Sequence, residues 1–272
     1  MTNKLTYTLV VCLLAFTITT KAQETSPEMG NAKPELVTDR PDQTEAATLV
    51  PKKTIQVETG FMFGKTSQFG LELAEYTYNT TLLRFGINEF FELRLIQEVL
   101  GSKISFLGNS SKVNGFSPLS LGAKIKVGKA KGALPETAFI GHITFPTGSS
   151  DFNQSHISGD FRFTMEWDLS DKFSMGINLG AETDGERPNV TGIYTFVVGF
   201  SPIDRLGFFV ESYGFITEGL NGVGSPHDHR FNGGVTFMIT DLIQYDVSAG
   251  VGLSESSQDY FISTGISFRI PR

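Results

Sequence analysis

Cysteine is almost absent: the chain has one in 272 residues, at position 12. A fold stapled by disulfides is therefore excluded. Basic residues are scarce too, with 22 Lys and Arg against 29 Asp and Glu and a formal net charge of −7. Nucleic-acid binding needs clustered Lys and Arg facing phosphates, so that class falls away as well. No window beyond residue 22 holds eighteen consecutive apolar residues, which rules out a helical membrane protein. No segment carries a 3.6-residue apolar period, so little helix is expected. What the chain does have is 29 Gly, 24 Phe and a mean hydropathy of −0.04. A membrane β-barrel averages to such a value because apolar and polar residues alternate along every strand.

Residues 1–22 read as a secretory signal peptide. Lys4 supplies the positive start, positions 9–16 (LVVCLLAF) an apolar core too short to span a bilayer, and Thr19, Thr20 and Ala22 the small residues before a cut. Cleavage after Ala22 leaves 250 residues without cysteine and a net charge of −9, from 20 basic and 29 acidic side chains. Export without disulfides fits a bacterial envelope protein, and the barrel pattern below places it in the outer membrane.

Residues 23–52 hold four of the 11 prolines and show no apolar period, as an extended periplasmic segment does. Within them Thr38-Asp39-Arg40-Pro41-Asp42-Gln43-Thr44-Glu45 is densely charged. The plain reading is a solvated turn leading into the first strand. A segment of this length also makes a candidate plug.

From residue 53 to 272 the period is two, and this stretch is expected to form the barrel. Ile55, Val57, Phe61 and Phe63 oppose Gln56, Glu58 and Gly60; Ile243, Tyr245, Val247 and Val251 oppose Gln244, Asp246, Ser248 and Gly250. Twelve such runs are expected near 53–64, 75–87, 91–99, 117–128, 137–147, 157–169, 172–182, 190–201, 205–217, 228–240, 242–252 and 258–270. Connections alternate between tight turns, such as Ser170-Asp171-Lys172, and longer Gly/Ser/Asn-rich loops at 65–74, 100–116, 148–156, 183–189, 218–227 and 253–257. The expected fold is thus all-β, an antiparallel transmembrane β-barrel of about twelve strands with short periplasmic turns and longer extracellular loops. A soluble β-sandwich or lipocalin would also alternate, and is separated from it only by which face is wet.

Cost decides the faces. A basic residue on the lipid face at the midplane costs roughly 2–4 kcal/mol, so the polar set must point inward. The lumen then collects Glu58, Arg84, Glu92, Arg94, Glu98, Lys124, Lys126, Asp160, Arg162, Glu166, Asp168, Glu211, Arg230, Asp246 and Arg269 as candidate selectivity residues. Phe209, Tyr213 and Phe261 fall on the same side and would favour a hydrophobic ligand.

Thr38-Asp39-Arg40-Pro41-Asp42, followed by Val50-Pro51-Lys52 and Gln56-Val57-Glu58-Thr59-Gly60-Phe61, resembles the opening of the outer-membrane "MetA-pathway of phenol degradation" transporter family. Pro146-Thr147-Gly148, at the end of an apolar strand, resembles a second motif of that family. The resemblance covers nearly the whole mature chain and implies a channel-like outer-membrane barrel for small, hydrophobic or aromatic compounds. The chain departs from outer-membrane barrels generally in ending Phe268-Arg-Ile-Pro-Arg272, so Phe268 would serve as the assembly signal from an internal position.

Two further patterns carry chemistry. His142 and Thr144 lie two apart on one strand face, as the His-x-Ser pair of an outer-membrane phospholipase does, but with Thr for Ser and no orienting partner identified. His227 and His229 offer i, i+2 imidazoles, against which a solvated loop is the plainer reading. No catalytic residue, metal or cofactor is expected. The function expected is passive uptake of small solutes. A sealed structural or surface-interaction barrel and, behind it, a lipid hydrolase stay open. Expected partners are outer-membrane lipid, the barrel-assembly machinery and an unidentified small solute, with no nucleic acid.

Overall fold

The computed structural model describes residues 36–217 and 227–270. The expected signal peptide, the start of the 23–52 segment and most of the loop expected at 218–227 lie outside the described residues.

Alternation yields strands wherever it was read. They are β1 (Ile55–Gln68), β2 (Leu71–Gly86), β3 (Phe91–Phe106), β4 (Asn109–Phe116), β5 (Leu119–Gly128), β6 (Glu136–Phe145) and β7 (Ser158–Ser170), then β8 (Phe173–Glu182), β9 (Thr191–Ile203), β10 (Leu206–Thr217), β11 (His227–Thr240), β12 (Ile243–Gly252) and β13 (Tyr260–Ile270). Strands adjacent in the chain pair antiparallel, except β4 with β5; β1 pairs with β13, and the β2–β3 pairing closes the ring. β3 pairs with β5 over Phe91 to Ile96 and with β4 over Val99 to Phe106. β4 and β5 are therefore one pass broken at Ser117-Pro118, where proline cannot donate to a ladder. The ring has twelve passes.

Two connections differ from expectation. Residues 65–74 and 100–116 are mostly strand, joined by the two-residue turns Phe69-Gly70 and Leu107-Gly108, all four at positive φ. Such turns match the twist of a hairpin, but Phe and Leu are poor signals for them. At these strand ends the apolar residues change face: Leu100, Ile104 and Phe106 fall on the side of Arg94 and Glu98, and Leu73 and Leu71 pair with Ile104 and Phe106. The turns after β2, β7, β9 and β11 are tight as expected, and the β5–β6 turn carries a small bridge between Lys131 and Leu134.

The inside of the barrel is polar and the outside apolar. The largest fully buried side chains include Arg84, Lys124, Gln56, Glu58, Glu92 and Glu211, whereas Phe61, Phe139, Phe161, Phe196, Phe231 and Val247 are exposed. A soluble sandwich or lipocalin would show the opposite, so the wet-face question is settled in favour of a membrane barrel.

Residues 36–54 do not run along the outside. They pass through the interior, with Leu36, Ala47 and Val50 nearly inaccessible, and leave it at a turn where Lys53 N–H donates to Gly86 at 2.6 Å. The plain reading of residues 38–45 as a solvated turn is thereby corrected. A segment with no strand partner must find other acceptors and donors for its backbone, and here the lumen side chains provide them.

Candidate functional site

The lumen site is the meeting of the inner segment with the barrel wall. Asp39 is its electrostatic centre: its carboxylate accepts from Arg94 at 2.7 Å, from Lys124 at 2.9 Å and from the Ala46 N–H at 2.9 Å, with Arg84 at 3.1 Å. Burial by itself would raise the Asp39 carboxyl. The three cations around it outweigh burial and hold it well below the usual carboxylate range. Arg40, the next residue, points the other way. Its guanidinium donates to Asp246 at 2.9 Å, Ser263 at 3.1 Å and Thr80 at 3.3 Å. It lies against Gly60 and Gly265, which pair across β1 and β13, and a Cβ at either position would collide with it.

Barrel carboxylates cap the segment's backbone. Glu58 accepts from Asp39 N–H at 2.9 Å, Glu211 from Thr44 N–H at 2.7 Å and from Gln43, Glu166 from Ala47 at 3.1 Å, and Glu92 from Val50 at 2.7 Å. Bonds between ionised acceptors and N–H groups are among the stronger kind. The segment's carbonyls are met as well, by Arg162 at Gln43, Lys124 at Ala46 and Arg84 at Thr48. Glu45 adds a 2.7 Å pair with Arg94 and lies 3.9 Å from Arg162.

Nine of the expected lumen charges thus converge on the segment: Glu58, Arg84, Glu92, Arg94, Lys124, Arg162, Glu166, Glu211 and Asp246. Glu98 lies within electrostatic reach of Arg40. The others are placed elsewhere. Lys126 pairs with Glu136 at 2.6 Å, Asp168 lines the short-turn mouth, Arg230 pairs with Asp228 at 2.6 Å near the loop end, and Arg269 bonds Gln56 at 3.1 Å. Of the segment's own motif, Thr38 accepts from Gln244 at 2.9 Å, while Pro41 and Asp42 border a cavity.

The neutral polar residues Asn178, Asn232, Gln56 and Gln244 also hold the segment or its carboxylate ligands. A reading limited to charges misses them, although their place on the inward side of the alternation marks them as lumen residues.

His142 is different from what its spacing suggested. Asp160 stands 3.0 Å from Nδ1, so an orienting partner does exist, but Nε2 accepts from Arg94 at 3.0 Å. Thr144 donates instead to Ser120 at 3.1 Å. Both imidazole nitrogens are engaged and neither faces the hydroxyl, which is not a base–nucleophile arrangement. His227 and His229 stack at 5.9 Å, and His229 Nδ1 meets the Tyr194 hydroxyl at 2.8 Å. Among the described residues no group of three or more His, Cys, Asp or Glu could hold a metal ion.

Beside the segment, under β8 to β10, lies a cavity of about 200 Å³. It exists because the wall there is nearly bare, with Gly176, Gly199, Gly207, Ser174 and Ser201 pointing inward. Val197 and Phe209 furnish apolar lining, and of the two segment carboxyls there Glu45 pairs with Arg94 whereas Asp42 has no ion pair among the described residues. Burial and the neighbouring Glu211 push the Asp42 carboxyl well above its usual range. The cavity shares Val37, Glu166, Ser174 and Ser201 with a vestibule of about 630 Å³ that opens at the short-turn end. Phe209 lines the cavity, whereas Tyr213 and Phe261 do not.

A family model described as "Putative MetA-pathway of phenol degradation" matches residues 38–270, from the start of the inner segment to the end of β13. No curated protein matches the sequence. Among solved structures, a COG4313 outer membrane channel from Pseudomonas putida F1 superposes with a TM-score of 0.69 at 12% identity, over 82% of this chain and 98% of its own. A NanC porin gives 0.50 at 8% identity over 79% and 100%, and the translocator domain of the autotransporter NalP from Neisseria meningitidis 0.50 at 12% over 80% and 88%. At these identities the likeness is one of fold.

Proposed function

The chain belongs to the MetA-pathway of phenol degradation family, and we propose that it is an outer-membrane channel for small solutes, closed in this state by residues 36–50 acting as a plug. The single observation that supports this reading is the filled lumen. A segment of the chain occupies the space between Arg84, Arg94, Lys124 and Glu211, and nearly every bond that holds it is to a side chain rather than to a strand. Side-chain anchors can be exchanged without breaking the barrel ladder, which is what a closure device needs.

The cargo proposed is a single-ring or similarly small apolar compound carrying a polar group. An apolar cavity of roughly 150 Å³ is enough to hold benzene, and the cavity beside the plug is of that order at about 200 Å³. Its Val197 and Phe209 lining suits an apolar body. Burial and the neighbouring Glu211 favour the protonated form of the Asp42 carboxyl, and in that form it would donate a hydrogen bond to a hydroxyl or carbonyl. Family membership by a pathway name agrees with such cargo. The vestibule at the short-turn end would be the periplasmic exit.

Single-channel recording of the mature protein in planar bilayers tests the reading, beside a variant in which Asp39→Asn and Arg40→Gln remove two of the plug's ionic anchors. Small, rare steps in the parent and larger, frequent ones in the variant are expected. Silence in both, from barrels shown to be folded, would leave a sealed structural barrel.

A further inference from the structure

On the lipid-facing side of β3 and β4, Lys103 and Lys112 are a direct cross-strand pair. Like charges facing each other across a ladder repel, and sheets ordinarily avoid the arrangement. Neither lysine has a carboxylate within ion-pair distance among the described residues. Lys65, in the same row on β1, is matched by Glu72 at 3.0 Å, which leaves Glu72 engaged. Lys112 lies 5.8 Å from the ring centres of both Tyr76 and Tyr78, held over the rings as a cation over π faces.

The row below the lysines is an aromatic shelf on the same outer face. Tyr76 stacks on Tyr78 at 5.6 Å, and Phe63 meets Tyr76 at 5.2 Å and Tyr260 at 6.1 Å. Gly101 leaves room for Tyr78 to lie flat, since a Cβ there would be 2.6 Å from the ring, and Asn114 accepts from the Tyr78 hydroxyl at 3.1 Å. Aromatic rings of this kind mark the level at which hydrocarbon gives way to headgroups. Two strand residues rise roughly 7 Å, so the lysine pair stands at headgroup height.

We propose that Lys103 and Lys112, above the Tyr76–Tyr78 shelf, form a binding site for the phosphate of a lipid headgroup in the leaflet at the loop end. A phosphate between the two ammonium groups removes their repulsion, and the lipid's chains continue down the apolar wall that the shelf caps. Charge complementarity and continuity with the lipid-contact belt name the occupant as a phosphorylated membrane lipid. The site rests on the outer-membrane reading for its orientation, and owes nothing to the plug.

Native mass spectrometry of the refolded mature protein in neutral detergent tests it, with bisphosphorylated lipid A, the same lipid dephosphorylated, and inorganic phosphate as probes. The parent should bind the bisphosphorylated lipid roughly thirtyfold more tightly than K103Q/K112Q does, as expected for losing two lysines at a charged surface. It should discriminate against the dephosphorylated lipid, and a lipid-equivalent concentration of inorganic phosphate should not displace the adduct. Both lysines are exposed and unpaired, so the variant should keep its folded, heat-modifiable gel mobility. Equal lipid binding by parent and variant would overturn the site, as would an equal loss in K52Q/K53Q at the opposite end. Displacement by inorganic phosphate alone would overturn the lipid as the occupant. Conductance is untouched by either pair, so failure here and failure of the channel reading are separate results.

Discussion

Asp39→Asn isolates the plug's electrostatic centre with almost no change in shape. In the parent, Asp39 meets Arg84, Arg94 and Lys124 at once. After the substitution Arg84 keeps Glu58 and Glu92, and Arg94 keeps Glu45 and Glu92. Lys124 has no other carboxylate within ion-pair distance among the described residues, and is left buried with the Ala46 carbonyl as its acceptor. Removing one partner of a buried pair costs about 3–5 kcal/mol. The lower end applies because two of the three cations keep partners. A cost of ~3 kcal/mol in the docked state alone corresponds to about a hundredfold more undocked plug. The barrel ladder is untouched, so the whole change falls on docking. Hydrogen exchange read by mass spectrometry over residues 36–50 is the assay, since the amides of Thr44, Ala47 and Val50 are tied to barrel carboxylates and exchange only when the segment leaves. Protection should drop by about two orders of magnitude while strand peptides keep theirs. Protection within threefold of the parent's would refute the claim that Asp39 holds the segment.

The same assay tests the pH behaviour of Asp42. Its docked pKa is raised above the ordinary 3.8, so its contribution to docking is full below that value and is lost as pH rises through the docked one. Plug protection, corrected for intrinsic exchange, should therefore weaken toward alkaline pH in the parent, and Asp42→Asn should weaken that dependence. Asp39 has the opposite sign: its contribution is present above 3.8 and is lost only as pH falls through its still lower docked value, so mild acid should leave that anchor in place. Gly265→Ala should drive a methyl into the Arg40 guanidinium and loosen the plug by about 1–3 kcal/mol, seen as lost protection with strands 1 and 13 still protected. Val247→Lys, midway along the lipid face of β12, should lower folding stability in a bilayer by about 2–4 kcal/mol, measured by denaturant unfolding. A neutral result there would contradict the assignment of that face to lipid.

The wall of the barrel was legible because its rule is local. In β12 each apolar residue that faces out is followed by a polar one that faces in, and two residues suffice to state the period. The same rule failed at 65–74 and 100–116, where the apolar residues Leu71, Leu73, Ile104 and Phe106 sit on the inner face and not the outer one. Phe69 and Leu107 in left-handed turns gave no warning, since Gly, Asn and Asp are the usual signals there. The inner segment was legible as an unpatterned, charged and proline-bearing stretch, but not as a structure. His142 shows the limit at one residue: its face could be read, yet Asp160 on the neighbouring β7 and Arg94 on β3 enter its surroundings only through the fold.

By itself, the sequence determined the strand period, the polarity of each face, the antiparallel succession of passes and the absence of a helical span, because each depends on residues close together in the chain. Tertiary structure alone decided that Asp39 meets Arg84, Arg94 and Lys124, that Arg40 fits the glycine pair at positions 60 and 265, and that glutamates from β1, β3, β7 and β10 cap one segment's backbone. Arg40 and the Ser263 hydroxyl it bonds beside that glycine pair are 223 residues apart. The physical reason is closure: until the twelve passes form a ring there is no interior, and residues 36–50 have no local partner for their own backbone.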